Sequence, residues 1–172
     1  FGAPNVMEYA RARGYHTVFV SAQEESWGDL DAILRRGADT FRTGIQFAAE
    51  VDVLKGCDDM VLLERGVLPT LRSIAEPFFL IVHMDGSHVP YSDHSPPSYK
   101  VFPEDEGVNS IAAYDNTIRV TDDFVSRVLA AARARDPRAW MFFTSDHGQA
   151  LGEGGAVYHR GYQSNVVRDP LL

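Results

Sequence analysis

Two stretches of the chain leave mixed polarity for nearly uninterrupted apolar runs, and each run ends in ionisable side chains. "FFLIVHMDG" starts at Phe78 and stops at His83 and Asp85, and "WMFFTSDH" starts at Trp140 and stops at Asp146 and His147. Such runs predict strands buried on both faces, as in a parallel sheet. "HTVFVS", from His16 to Ser21, is a third β-rich run. Helical spacing recurs between them. "APNVMEYARARG" sets Val6, Tyr9 and Ala10 on one face, with Pro4 suited to the first turn and Gly14 to its close. "SWGDLDAILRRGADTF" predicts a short helix with Ser26 at its N-cap and Gly37 at its end. "DDMVLLERGVLPTLRSIAEP" is helical in pattern, with Pro69 expected to kink or interrupt it. The longest helix is predicted from Asn109 to Arg135, where Ile111, Ile118, Phe124, Val125, Val128 and Leu129 recur at helical spacing. Residues 45–56 fit neither period, and "SHVPYSDHSPPSYKVFPEDEG" predicts an irregular loop. Helices that alternate with β-rich runs predict an α/β fold, a mostly parallel central sheet with helices on both faces.

Composition narrows the function classes. The chain has 172 residues, 45% hydrophobic and 23% charged, as expected of one globular domain. A net charge of −8 supplies no basic stripe to neutralise phosphates, which argues against nucleic acid as a partner. Cys57 is the single cysteine, so neither an internal disulfide nor a thiolate zinc cluster is available. No apolar run reaches the roughly 18 residues that span a bilayer. The chain starts at Phe1 and stops in "RDPLL", so a partial domain is expected.

Ligands in open α/β sheets gather at the carboxyl ends of the strands. Both predicted strands end there in groups that bind metal: His83, Asp85 and His88 after the first, Asp146 and His147 after the second. His159 follows a loop containing Gly148, Gly152, Gly154 and Gly155, which allows the chain to fold back over the same edge. Carboxylate plus imidazole is an ordinary zinc set. The plainer reading of the same string is a polar strand exit, and spacing alone does not separate the two. His16 and His94 read as ordinary surface or core residues, His83 as facing the core, Asp85 as a turn cap, and Cys57 as a small buried hydrophobe.

"TSDHGQALGEGGAVYHRGY" resembles the "SDHGESLGE…G…HG" signature of phosphoethanolamine transferases, in the sulfatase-like branch of the alkaline phosphatase superfamily. "HMDGSHVPY" is similar to their "H-x-x-G-S-H-x-P-Y" segment, and "YDNTIRVTDDFVSRVL" to the "YDNSI…TD" helix between the two. "GYHTVFVSAQEESWGD" fits more loosely the strand and loop after the nucleophile region. The resemblance implies that residues 1–172 are the C-terminal part of one sulfatase-like catalytic domain. It also implies that Asp146 and His147 bind a zinc ion beside the nucleophile, and that His88 and His159 hold a second zinc or the substrate phosphate. Tyr114, Asp115 and Asn116 match the helix motif, where Asp115 or Asn116 is expected to tie the helix to the site edge.

The implied reaction is zinc-dependent transfer of phosphoethanolamine from a phospholipid donor to a cell-envelope glycan or lipid acceptor, through a covalent enzyme intermediate. His88 and His159 would stabilise the non-bridging oxygens, and either could protonate the leaving alkoxide. The resemblance further implies the periplasmic face of the inner membrane, reached through segments outside this chain. The sequence departs from the pattern in three places. Thr17, Thr40, Thr43 and Thr144 match no nucleophile motif, so the nucleophile and an acidic zinc ligand are expected upstream and this chain alone is expected to be inactive. Lipid A-modifying members usually carry several disulfides whereas this chain has only Cys57, and Gln149 stands where Glu is common. Two alternatives remain open: a sulfatase or phosphatase/phosphodiesterase on the same scaffold, and a non-catalytic binding module.

Overall fold

The computed structural model describes residues 3–25, 30–48, 56–104, 107–152 and 157–158. Helix α1 (Val6–Ala12) opens on Asn5, whose side chain accepts from the Glu8 N–H at 2.8 Å while the Glu8 carboxylate accepts from the Asn5 N–H at 2.9 Å. Strand β1 (His16–Ser21) follows, then α2 (Leu30–Leu34) and a short β2 (Thr40–Arg42). The α2 segment ends within the predicted helix, and its proposed cap, Ser26, lies outside the described residues. Strand β3 (Phe78–His83) completes a parallel sheet of order β2-β1-β3. The register sets Ser21 opposite His83, so both strands end together.

β1, not β3, is central among the described strands. Five of its six residues are buried, whereas all six of β3 are only half-buried. Val18 and Val20 face a core built with Leu62, Leu63, Val67 and Leu71 and with Phe124, Val128 and Ala132. Thr17 and Phe19 are buried on the opposite face, where α1 contacts β1. Burial on both faces is what a parallel strand flanked by helices requires.

The helical pattern is interrupted just before Pro69, as expected. The segment runs as α3 (Asp59–Val61), a π-helical stretch (Leu62–Val67) and α4 (Leu68–Ser73). The Leu68 N–H donates to the Leu63 carbonyl, a wider turn placed just before a residue that has no N–H to give. Asp58 caps the start by accepting from the N–H groups of Met60 and Val61. Cys57 is buried as expected, and burial pushes its thiol pKa up to about 12.

Helix α5 (Ile111–Arg135) matches the predicted long helix, with Ser110 as N-cap. Asn116, fully buried, accepts from the N–H groups of Val101 and Phe102 at 3.1 and 3.0 Å and donates to the Phe102 carbonyl and the Glu104 carboxylate, both at 3.0 Å. Thr117 Oγ1 lies 2.7 Å from Ser87 Oγ. The helix motif therefore anchors the loop that follows β3.

Backbone crowding fixes the exit of β1. The Ala22 carbonyl accepts from the Cys57 N–H at 2.9 Å, and a Cβ on Gly44 would lie 2.0 Å from that oxygen.

The second predicted strand is not one. Among the described residues, positions 140–147 enter no ladder, and Trp140 and Phe142 are 88% and 91% exposed. Ala139 and Met141 still pack against the core, so the alternation of a strand is present. What is missing is a partner, because isolated extended backbone leaves its N–H and C=O groups to solvent. Beyond it, β4 (Ala150–Leu151) pairs antiparallel with β5 (Val157–Tyr158), Ala150 opposite Tyr158. The glycine-rich loop thus returns the chain to within a few positions of His147.

Candidate functional site at the strand ends

The ends of β1 and β3 carry a dense polar cluster. Glu25, in the turn after β1, has a side chain only 1% exposed. Its Oε1 accepts from Ser21 Oγ at 2.5 Å and lies 2.6 Å from His83 Nδ1. Ser21 Oγ is itself 3.2 Å from that nitrogen and accepts from the Gln23 N–H at 3.0 Å. Burial works against the Glu25 charge, but the hydrogen bonds from His83 and Ser21 prevail and hold its pKa below the usual carboxylate range. The Glu25 hydrogen bond in turn raises the His83 pKa against burial, and the charge of Asp146 adds to the rise. His83 therefore does not face the core. Its side chain is 41% exposed, tethered through one ring nitrogen.

Asp85 is more than a turn cap. Its Oδ1 accepts from Gln23 Nε2 at 3.0 Å, and His94 Nδ1 lies 3.0 Å from its Oδ2, with the two side chains 1% and 8% exposed. Burial alone would lower the His94 pKa, but Asp85 outweighs it and raises it. The N–H groups of Asp85 and Gly86 both donate to Asp59, at 2.9 and 2.8 Å, and the φ of 65° at Gly86 turns the chain to deliver them. Burial pushes Asp59 up to about 6 despite those bonds. His88 leaves this anchored turn exposed, its ring 6.1 Å from that of His94.

Asp146 and His147 sit at the end of the unpaired segment, both exposed. His147 Nε2 lies 3.5 Å from Asp146 Oδ2, and the His147 N–H donates to Asp146 Oδ1 at 2.9 Å. His88 and His147 share one feature: each holds Nδ1 2.8 Å from a backbone carbonyl, that of Val89 and of Gly148. A carbonyl only accepts, so Nδ1 carries a hydrogen in both rings. An imidazole beside a carboxylate is a donor set that zinc takes. Among the described residues no three His, Cys, Asp or Glu side chains close on a common point, and His159 lies outside them.

The reading from sequence missed Glu25, Asp59 and the pairing of Asp85 with His94. For Glu25 and Asp85 the available signal was positional, a carboxylate within a few residues of a strand's carboxyl end, whereas Asp59, at the start of α3, gave none.

The sulfatase family model matches residues 2–172. Kdo(2)-lipid A phosphoethanolamine 7''-transferase from Escherichia coli (strain K12) is 28% identical over 158 residues, covering 87% of this chain and 27% of that protein. Phosphoethanolamine transferase EptA from Helicobacter pylori is 33% identical over 94 residues, 49% of this chain and 18% of its own length. Among solved structures, the soluble domain of lipooligosaccharide phosphoethanolamine transferase A from Neisseria meningitidis superposes with a TM-score of 0.66 at 19% identity, covering 90% of this chain and 48% of that one. The C-terminal periplasmic domain of EcEptC from Escherichia coli, in complex with Zn, gives 0.67 at 18% identity, covering 97% and 46%. The chain thus spans about a quarter of the first curated relatives and just under half of these solved domains. No helix among the described residues is long and apolar enough to cross a membrane. With the fold, the family model and the relatives in agreement, the chain belongs to the sulfatase family.

Proposed function

We propose that this chain is the C-terminal part of one catalytic domain that transfers phosphoethanolamine from a phospholipid donor to a lipid or glycan acceptor of the cell envelope, at the periplasmic face of the inner membrane. The observation that carries the reading is the Asp146–His147 pair, a carboxylate and an imidazole 3.5 Å apart, with His147 Nδ1 held by the Gly148 carbonyl. The names of the relatives support the transferred group.

Asp146 and His147 would hold one zinc ion, and His88 with His159 a second ion or the phosphate itself. Zinc, when bound, lowers the pKa of a hydroxyl and makes it a nucleophile near neutral pH. His88 and His159 stabilise the non-bridging oxygens as charge builds on them. The β4–β5 hairpin supports a returning His159, since it ends one residue before that position. The nucleophile lies outside this chain in our reading. Thr17 is buried and donates to the Gly37 carbonyl, and Thr43 donates to Glu24, so neither hydroxyl is free at the strand ends.

In the full-length protein, His147→Ala is expected to cut transfer from a fluorescent phosphatidylethanolamine roughly a thousandfold and to lower bound zinc. Near-normal turnover with normal zinc would remove His147 from the metal pair. The breadth of the sulfatase family supports a second reading, hydrolysis of a sulfate or phosphate ester. A wild-type protein that cleaves an aryl sulfate faster than any phosphoethanolamine donor would establish that reading instead.

A further inference from the structure

The cluster at the ends of β1 and β3 contains a catalytic arrangement that the metal pair does not use. His83 differs from His88 and His147 in what holds its Nδ1: a buried carboxylate in the first case, a backbone carbonyl in the other two. The difference is chemical. A carbonyl accepts the Nδ1 hydrogen but brings no charge to the ring. A carboxylate stabilises the imidazolium, which suits a proton donor. Glu25 is also fixed from its other side, because Ser21 Oγ donates to the same Oε1 that faces His83. The ring is thereby held through Nδ1 at the strand edge, in a side chain that is 41% exposed and on whose charge Asp146 acts.

We propose that His83 is the general acid–base of the group transfer, donating and recovering a proton through Nε2, with Glu25 as its positioning residue. The proposal rests on the transferase reading above. In the first half-reaction the bond between the enzyme's deprotonated nucleophile oxygen and phosphorus forms. The phosphorus–oxygen bond to diacylglycerol breaks, and the Nε2 proton goes to the departing oxygen. In the second, the acceptor hydroxyl oxygen bonds to phosphorus as the enzyme oxygen leaves, and the hydroxyl proton returns to Nε2. Donor and acceptor-OH become diacylglycerol and phosphoethanolamine-acceptor, with no other reactant.

The test compares two donors of the same group in the full-length protein. Phosphatidylethanolamine expels a basic alkoxide that needs a proton. p-Nitrophenyl phosphoethanolamine expels a weakly basic phenolate that does not. In His83→Asn, first-turnover release of diacylglycerol is expected to fall by about 10²–10³, with p-nitrophenolate release within about threefold of wild type. Glu25→Gln, which keeps the shape and removes the charge, is expected to lose about tenfold on the phospholipid alone. The ratio of the two rates in one preparation does not depend on the folded fraction, so partial misfolding cannot imitate the result. Equal losses on both donors, or loss of zinc from His83→Asn, would overturn the assignment while leaving the transferase intact. A wild-type protein that turns over neither donor would overturn the transferase reading, and this proposal with it.

Discussion

The two halves of the candidate site are built differently. Around Glu25, His83 and Asp85 the side chains are placed by paired strands, by Asp59 receiving two backbone N–H groups, and by burial. Around Asp146 and His147 the backbone has no strand partner among the described residues. The first half shows preorganisation, with side chains fixed before any ligand arrives. The second shows a candidate carboxylate–imidazole pair on a segment that alternates like a strand but enters no ladder among the described residues.

Removing Glu25 should break the first half most severely. Glu25→Ala leaves His83 and Ser21 without their shared acceptor and is expected to cost about 1.5–3 kcal/mol in urea denaturation, the range for hydrogen bonds to a charged group. A cost near zero would show that the cluster contributes nothing to stability.

Acidity offers a gentler probe. The His83 pKa is raised above its ordinary 6.5, so its contribution is full below that value and is lost as pH climbs through the raised one. Glu25 is depressed below its ordinary 4.5, so its contribution is present above that value and fades as pH falls. His94, also raised, adds to the alkaline loss. Asp59, shifted from 3.8 to about 6, contributes below its ordinary value and loses that contribution as pH rises through about 6. Melting temperatures should therefore decline on the alkaline side of neutrality, and Glu25→Gln should flatten that decline. A wild-type curve that stays level there would contradict the assignment.

The smallest effect belongs to the unpaired half. Phe142→Ser removes a ring that is 91% exposed and should change stability by no more than about 0.5 kcal/mol. A loss several times larger would mean that the ring is covered in solution.

Much of this was legible in the sequence, for identifiable reasons. β1, β3 and α5 follow from apolar runs and helical spacing, because local pattern and burial agree there. The strand expected at residues 140–146 failed because an apolar run reports a wish to be buried and says nothing about which chain will supply the ladder. Among candidate site residues, His88 and His147 were singled out through motif context. Glu25 was not, since its significance arises only when Ser21 and His83 are brought into register across 62 positions. Asp59 was hidden for the same reason, as its partners lie 26 and 27 positions away.

Gly44 carries a consequence for how this region tolerates variation. A single methyl group there would collide with the Ala22 carbonyl, and Gly56, at φ 64°, would bring one to 2.9 Å from the same oxygen. Neither glycine touches the proposed chemistry, yet both press on the backbone three residues before Glu25. In a saturation-mutagenesis map they should stand out as sites of near-total intolerance, outlined as sharply as the histidines and for an unrelated cause. Intolerance at those two positions would therefore report crowding of the main chain, and should not be read as a mark of the active centre.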